Sequence, residues 1–158
     1  MSSSSREFRN ALGRYPTGVA IISARGEDGK LVGLTANSVT PVGSDPVRLA
    51  WSLGVESRTR AVFEEASYFS VNVLASNQIS VARQFASSLA DRYEGIDYVA
   101  AGSQSLPKIH GAIAWYVCRR TDTTEVGDHV MFIGDVVESE LADGAPLLYF
   151  AGRFAQFH

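Results

Sequence analysis

The chain has 158 residues, of which 46% are hydrophobic and 20% are charged, and its formal net charge is -3. This length fits one domain with its own core, and the apolar fraction excludes an intrinsically disordered chain. The net negative charge and the lack of a basic stripe in the sequence argue against nucleic acid as a partner. No apolar run reaches the ~20 residues of a membrane helix, and the first residues lack the apolar stretch of a signal peptide, so we expect a cytoplasmic protein.

The N-terminal segment is predicted to be a short tail followed by a helix. Residues 1–5 are assigned to a disordered tail and residues 6–158 to a single domain. Ser4 and Glu7 form a capping-box pattern, and apolar residues with helical spacing follow as far as Pro16, which ends the helix.

A β-hairpin and a third strand are predicted next. Residues 18–24 and 30–39 are apolar, β-prone runs, and Asp28-Gly29 between them is a strong hairpin signal. A strand over 47–53 follows a turn-rich loop and leads into a helix capped by Ser57.

The remaining sequence is predicted to be mainly β. A strand over 68–75 precedes a helix capped by Asn77, and residues 87–108 are expected to be mostly irregular. Three further strands are predicted at residues 112–120, 129–140 and 146–157. Six or seven short strands with only three helices indicate a mainly β fold with a few helices, an antiparallel and closed or nearly closed barrel. Because neither common nucleotide-binding glycine loop is present, any nucleotide must be held in another way.

Cysteine and histidine give no sign of a metal or disulfide site. Cys118 is the single cysteine and lies in an apolar run, so it is expected to be a buried residue without a catalytic role. The three histidines are far apart and lack the paired spacing of metal ligands, which argues against a metal site.

A candidate phosphate site lies where a predicted strand runs into a helix. Ser57, Arg58 and Thr59 stand at this junction, where free N–H groups favour an anion and two hydroxyls and a guanidinium add hydrogen bonds suited to phosphate. The alternative is a capped helix with a surface arginine, and the residues taken alone favour that alternative.

A second candidate site is the polar tetrad Thr35-Ala36-Asn37-Ser38, which interrupts an apolar strand pair. Polar side chains and exposed backbone amides at a barrel rim can hydrogen-bond the edge of a flat heteroaromatic ring. The alternative is a strand end whose side chains bond their own backbone, and by itself the tetrad favours that alternative.

Several motifs occurring in order along the chain resemble the flavin reductase family with the FMN-binding split-barrel fold, which includes the reductase components of two-component flavin-dependent monooxygenases. The motifs are FRNALGRYPTGVAIIS, GLTANSVTPVGSDP, WSLGVESRT, FSVNVLA, RQFA, CRR, GDHVMFIGDV and PLLYFAGRF. The resemblance implies an antiparallel split β-barrel and an NAD(P)H-dependent reduction of FMN or FAD. It also implies a homodimer with the flavin near the subunit contact, and a separate monooxygenase that receives reduced flavin.

The resemblance further implies roles for individual residues. At the flavin ring it places Thr35, Ala36, Asn37 and Ser38, with Ser52 nearby. At the phosphate it places Ser57, Arg58 and Thr59, and along the rest of the flavin Gln84 and Phe85. At the nicotinamide it places His129, with Tyr149 beside it. No residue is assigned as acid, base or nucleophile, because hydride transfer between the two cofactors requires only that they be positioned.

Other functions are compatible with the same flavin site. One is an oxidase or corrinoid reductase, which differs in the electron acceptor that accelerates nicotinamide oxidation. Another is a non-catalytic split barrel that binds flavin or haem as a carrier or sensor, which would hold flavin without oxidising NADH.

Overall fold

A computed structural model describes residues 3–157 as an antiparallel β structure with three helices in that range. The helices are α1 (Ser3–Leu12), α2 (Arg60–Glu65) and α3 (Ile79–Phe85). The first six strands are β1 (Thr17–Gly18), β2 (Ala20–Arg25), β3 (Leu31–Ala36), β4 (Thr40–Ser44), β5 (Val47–Gly54) and β6 (Tyr68–Val73). The other six are β7 (Tyr98–Ala101), β8 (Leu106–Ile109), β9 (Ala114–Val126), β10 (His129–Leu141), β11 (Leu147–Phe150) and β12 (Arg153–Gln156).

Seven strands form the main sheet, in the order β3-β2-β6-β9-β10-β5-β4. The sheet is not closed by strand pairing, because β3 and β4 are its two edges. The segment after β3 is tied to β5 through Ser38, whose Oγ accepts a hydrogen bond from the Ser52 backbone N–H at 3.0 Å. The predicted fold class, a mainly β antiparallel split barrel, is therefore confirmed, with the split beside β3.

The main core lies on one face of this sheet and is built around aromatic rings. Trp51 stacks on Phe132 with ring centroids 4.7 Å apart, and Phe63 and Phe69 meet Trp51 edge-on. Phe63 comes from α2, so burial of this ring against the sheet fixes the helix that follows β5. Cys118 is fully buried beside this core, and burial raises the pKa of its thiol to about 12, which keeps it unreactive at neutral pH.

The helix starts differ from the prediction. Ser3 to Ser5 are helical, so the predicted tail over residues 1–5 is wrong for these three, while residues 1 and 2 lie outside the described part of the chain. The N-cap of α2 is Thr59 rather than Ser57, and that of α3 is Gln78 rather than Asn77. The limits of the single domain stay a prediction.

Several strands were absent from the prediction. The loop at 40–44 pairs with β5 and forms the edge strand β4, whose five residues are all exposed. The segment predicted to be irregular contains the β7–β8 hairpin. The predicted strand over 146–157 is two strands, because the chain reverses at Ala151 and Gly152. Among residues 3–157, every helix is too short or too polar to span a lipid bilayer.

Candidate functional site

The outer edge of β3 is an open row of backbone donors and acceptors. β3 pairs with β2 on one side, with Ala36 opposite Ala20, and has no strand partner on the other side among the described residues. Unpaired N–H and C=O groups at a sheet edge bind whatever extended or planar polar group is placed beside them. One carbonyl of this edge, that of Gly33, already accepts a hydrogen bond from the Arg92 guanidinium at 2.9 Å.

The four residues of the polar tetrad have different surroundings. Ala36 is buried in the core, and the Thr35 hydroxyl donates to the carbonyl of Ala82 in α3 at 2.6 Å. Ser38 is engaged with the backbone of Ser52. Asn37 is exposed, and within the described residues its side-chain amide has no hydrogen-bond partner. The tetrad therefore offers a ligand mainly its backbone edge and the amide of Asn37.

The Ser57-Arg58-Thr59 segment lies at the start of α2. The Ser57 and Thr59 hydroxyls are 3.0 Å apart, and Thr59 is only 5% exposed. Because α2 has only six residues, its dipole contributes little to anion binding. Any phosphate here would be held by hydroxyls and guanidinium groups.

Two arginines face a cavity of about 330 Å³ beside this segment. Arg58 donates to the carbonyls of Ser88 and Leu89, and Arg92 donates to the carbonyls of Gly33 and Ser87. Burial, and then the positive charge of Arg58, lower the pKa of Arg92. No carboxylate is among the residues that line this cavity, which are Leu31, Val32, Gly33, Arg58, Thr59, Ala90, Arg92 and Tyr93. Two neighbouring guanidinium groups without a counter-ion favour an anionic ligand.

Gln84 and Phe85 support this arrangement from within the protein. Phe85 has no exposed surface, packs under β3 and meets the ring of Tyr93 edge-on at 4.8 Å. The Gln84 side-chain amide donates to the backbone carbonyls of Arg92 and Glu94, both at 2.7 Å. Both residues thus support the loop that carries Arg92. Their placement along the flavin, which the family resemblance implies, stays a prediction.

A larger cavity, of about 520 Å³, lies at the other end of β3. It brings together three residues that the sequence analysis named separately, Thr35, Asn37 and Tyr149. The other residues of its lining are Val19, Arg83, Ala86, Gly152, Arg153 and Phe154. Arg83, Arg92 and Arg153 were missed in the sequence, where isolated arginines carry no spacing signal that separates them from ordinary surface residues.

His129 lies apart from this cavity. His129 is the first residue of β10 and pairs with Gly54, the last residue of β5. The turn before β10 is held against the end of β5, because the Val55 N–H donates to the Asp128 carbonyl at 3.0 Å. The ring is 53% exposed, and its Nδ1 is 2.7 Å from a carboxylate oxygen of Asp128. A carboxylate accepts, so Nδ1 donates and leaves Nε2 directed away from this bond. His129 thus lies at the end of β5, and it is not among the residues that line the cavity with Tyr149.

Together these features form a site suited to a phosphorylated planar ring. An open strand edge and a free amide recognise ring polar groups, aromatic side chains provide a wall, and arginines without carboxylate partners attract phosphate. The residues that line the two cavities include neither a cysteine nor a histidine. The arrangement therefore favours binding and alignment of nucleotides over covalent catalysis.

Comparison with known proteins shows the family of this chain. The family model described as "Flavin reductase like domain" matches residues 12–158. An FMN reductase (NADH) from Agrobacterium fabrum is 33% identical over 153 residues, which covers 97% of this chain and 86% of the relative. The reductase component of a 4-nitrophenol 4-monooxygenase/4-nitrocatechol 2-monooxygenase from Rhodococcus opacus is 35% identical over 151 residues, covering 96% of this chain and 80% of the relative.

A solved structure gives the same result for the fold. The NADH:FAD oxidoreductase from Streptomyces globisporus, solved in complex with NAD and FAD fragments, superposes with a TM-score of 0.92 at 29% sequence identity. The alignment covers 100% of this chain and 96% of that protein. Because the family model spans nearly the whole chain and the fold matches, this chain belongs to the flavin reductase family.

Proposed function

We propose that this chain is an NAD(P)H:flavin oxidoreductase that reduces FMN or FAD and supplies the reduced flavin to a separate monooxygenase. The observation that carries the proposal is the placing of two arginine-lined cavities at the two ends of β3, beside its open edge. Relatives support the chemistry: one is named an FMN reductase (NADH), and a structural neighbour was solved with NAD and FAD fragments.

The residues along β3 fit a flavin. We infer that the ring lies against the backbone edge and the Asn37 amide, and that the phosphate lies at Ser57, Arg58 and Thr59, with Arg92 beside them. Strand rise separates Gly33 from Asn37 by roughly 13 Å, which is comparable to the length of a flavin mononucleotide. The smaller cavity, with its two unneutralised arginines, would then receive the phosphate end.

The chain contributes positioning to the reaction. A bound flavin supplies the hydride-accepting ring, and the protein must hold the nicotinamide against it. Tyr149 stands in the larger cavity with Thr35 and Asn37, where its ring can pack against a planar ligand. For His129 we infer that Nε2 accepts a hydrogen bond from the nicotinamide carboxamide, with Nδ1 held by Asp128.

A homodimer is part of this proposal. Phe8, Leu12 and Tyr15 are 67%, 58% and 78% exposed, and their spacing places them on one face of α1 and the turn after it. An apolar face of this kind is typical of a surface covered by another subunit. A second copy would also bring its own residues towards a flavin site that is open on one side.

The partner and the location complete the proposal. The Rhodococcus opacus relative is a reductase component, which supports a separate monooxygenase as the acceptor of reduced flavin. We infer a cytoplasmic location, since the proposed reductant is a cytoplasmic metabolite.

Stopped-flow oxidation of NADH and NADPH with FMN and FAD, read at the flavin absorbance, tests the function. We expect flavin bleaching under anaerobic conditions at a rate that saturates with the reductant. Bound flavin that is never bleached would indicate a carrier or sensor instead. Faster nicotinamide oxidation with a corrinoid than with flavin would indicate a corrinoid reductase.

A further inference from the structure

The tip of the β9–β10 hairpin, residues 125–129, carries His129 at its end. Every residue of the tip is exposed. Gly127, at a φ of 61°, begins the two-residue turn, and Val126 pairs with His129 across it. Exposed hairpin ends with little buried apolar surface open easily unless other contacts hold them. The position of the His129 ring therefore depends on what holds the tip.

Among the described residues, two hydrogen-bonded contacts besides strand pairing reach this tip. One is the bond from the Val55 N–H to the Asp128 carbonyl at 3.0 Å. The other is an ion pair between Arg60, the first residue of α2, and Glu125 of β9. Both contacts come from residues 55–60, which lead from β5 into α2. The tip is thus fixed against this one segment.

Arg60 is the side chain that makes this attachment. Besides Glu125, its guanidinium donates to the Glu64 carboxylate one turn along α2 and to the Val55 carbonyl at 3.4 Å. The side chain of Arg60 is 28% exposed, against 62% for that of Glu125. A planar guanidinium directs its N–H donors at several acceptors in fixed directions. One side chain thereby connects α2, the end of β5 and the hairpin tip.

The same segment carries the residues to which the flavin phosphate was assigned above. Ser57 and Thr59 precede Arg60, and the Arg60 N–H donates to the Ser57 carbonyl at 3.2 Å. The Ser57 N–H donates in turn to the carbonyl of Gly54, which is the pairing partner of His129. A short set of hydrogen bonds therefore connects the phosphate segment with the histidine at the tip, and Arg60 supplies its side-chain link.

We propose that Arg60 is a positioning residue for the reductant, which holds the hairpin tip through Glu125 so that the His129 ring meets the nicotinamide. This inference rests on the proposed function. Unlike Arg58 and Arg92, Arg60 has carboxylates as partners, so its charge is not available to a phosphate. Exposed ion pairs contribute little to overall stability. The contribution of Arg60 is therefore to the position of the tip and not to folding.

Kinetics of Glu125→Gln and Arg60→Gln, alone and combined with His129→Ala, test the proposal. Each single variant should raise the NADH Michaelis constant by roughly three- to tenfold, the size of effect that residues without ligand contact produce. In the His129→Ala protein, Glu125→Gln should add almost nothing, because the side chain that it positions is gone. Flavin dissociation constants should not change in Glu125→Gln. Arg60→Lys should recover part of the loss, since it keeps the charge and loses the planar fork.

Hydrogen–deuterium exchange gives a readout that does not depend on turnover. In the ligand-free glutamine variants, amides of residues 125–129 should exchange at least about threefold faster than in wild type, while those of β6 stay protected.

Arg120→Gln is the matched control. The Arg120 guanidinium also links β9 to α2, but it donates at 2.9 Å to the carbonyl of Ala66, the C-cap at the other end of the helix. Its removal should change neither the NADH Michaelis constant nor exchange at the tip.

The outcomes separate this inference from the proposed function. If His129→Ala impairs NADH kinetics and both glutamine variants do not, only this inference is overturned. Losses that multiply with that of His129→Ala, or that affect flavin and NADH equally in Glu125→Gln, would show a general structural role and also overturn it, as would tip exchange as slow as in wild type. Normal NADH kinetics in His129→Ala would overturn both this inference and the assignment of His129. Failure of the wild-type protein to oxidise NADH would instead refute the proposed function.

Discussion

Arg58 and Arg92 are close enough that the charge of one contributes to lowering the pKa of the other, after burial, the larger cause. Like charges placed together without a carboxylate destabilise the ligand-free protein, and an anion that binds between them relieves this repulsion. This electrostatic feature separates the Ser57 segment from an ordinary helix start with a surface arginine.

Replacing Arg58 with alanine should therefore weaken FMN and FAD binding by about ten- to a hundredfold, because a charge-assisted hydrogen bond contributes about 1.5–3 kcal/mol. Titration of flavin fluorescence would measure the dissociation constants. Riboflavin is the control ligand, since it lacks the phosphate and should bind the variant almost as well as wild type. A comparable loss for riboflavin would mean that the variant acts by releasing the carbonyls of Ser88 and Leu89.

His129→Ala should raise the NADH Michaelis constant and slow flavin reduction without changing flavin affinity. The ring is half exposed and makes one hydrogen bond, to Asp128, so its removal should cost little stability. His129→Asn, which keeps a polar group near the same place, should recover part of the activity. Normal NADH kinetics in a folded and flavin-loaded alanine variant would remove His129 from the nicotinamide site.

At the level of elements, the contact of α3 with β3 decides where both cavities lie. Phe85 of α3 packs directly under Gly33, and the Thr35 hydroxyl donates to the carbonyl of Ala82 in the middle of the same helix. One cavity lies on each side of this contact, so a change in the helix position would alter both.

A methyl group at residue 33 should disturb this contact. The Cβ of alanine would lie 2.7 Å from Cε1 of Phe85 and 3.2 Å from a ring carbon of Tyr93, and both rings are buried. Gly33→Ala should lower the free energy of unfolding by about 1–3 kcal/mol, measured by urea denaturation, and weaken flavin binding. Gly18→Ala is the control, because its Cβ meets nothing within 4 Å. Equal destabilisation by both substitutions would show that the α3 contact is not the cause.

At the scale of the whole molecule, the apolar face of α1 is left uncovered by the chain itself. Sedimentation should therefore report twice the chain mass. Phe8→Glu should shift the species towards monomer, since it places a charge on this face, while the chain fold stays intact because Phe8 is 67% exposed. Val99→Glu, at a 60% exposed position on β7, should leave the dimer unchanged. An active, flavin-loaded wild-type monomer would contradict the assembly.

The strands that the sequence analysis missed share a physical cause. Residues 40–44 lack a buried face, so their sequence shows no alternation of apolar and polar residues that would predict β4. The segment is a strand because it pairs with β5. The turn between β11 and β12 is formed by Ala151 and Gly152, both at positive φ. Asparagine or aspartate before the glycine would have predicted a hairpin turn here, whereas alanine does not. Edge strands and unusual turns depend on a neighbouring strand for their conformation.

Local patterns in the sequence were sufficient for the family, the mainly β class and the burial of Cys118, because alternation, turn residues and ordered motifs act over a few positions. Only the tertiary structure decided that Gln84 holds the loop of Arg92 and that His129 lies outside the cavity of Tyr149. It also decided that Arg58 shares one cavity with Arg92 and that Arg83 shares the other with Arg153. An arginine on the surface and an arginine in a binding site are alike in sequence. They differ in which other charges the fold brings near them, and that follows from long-range packing.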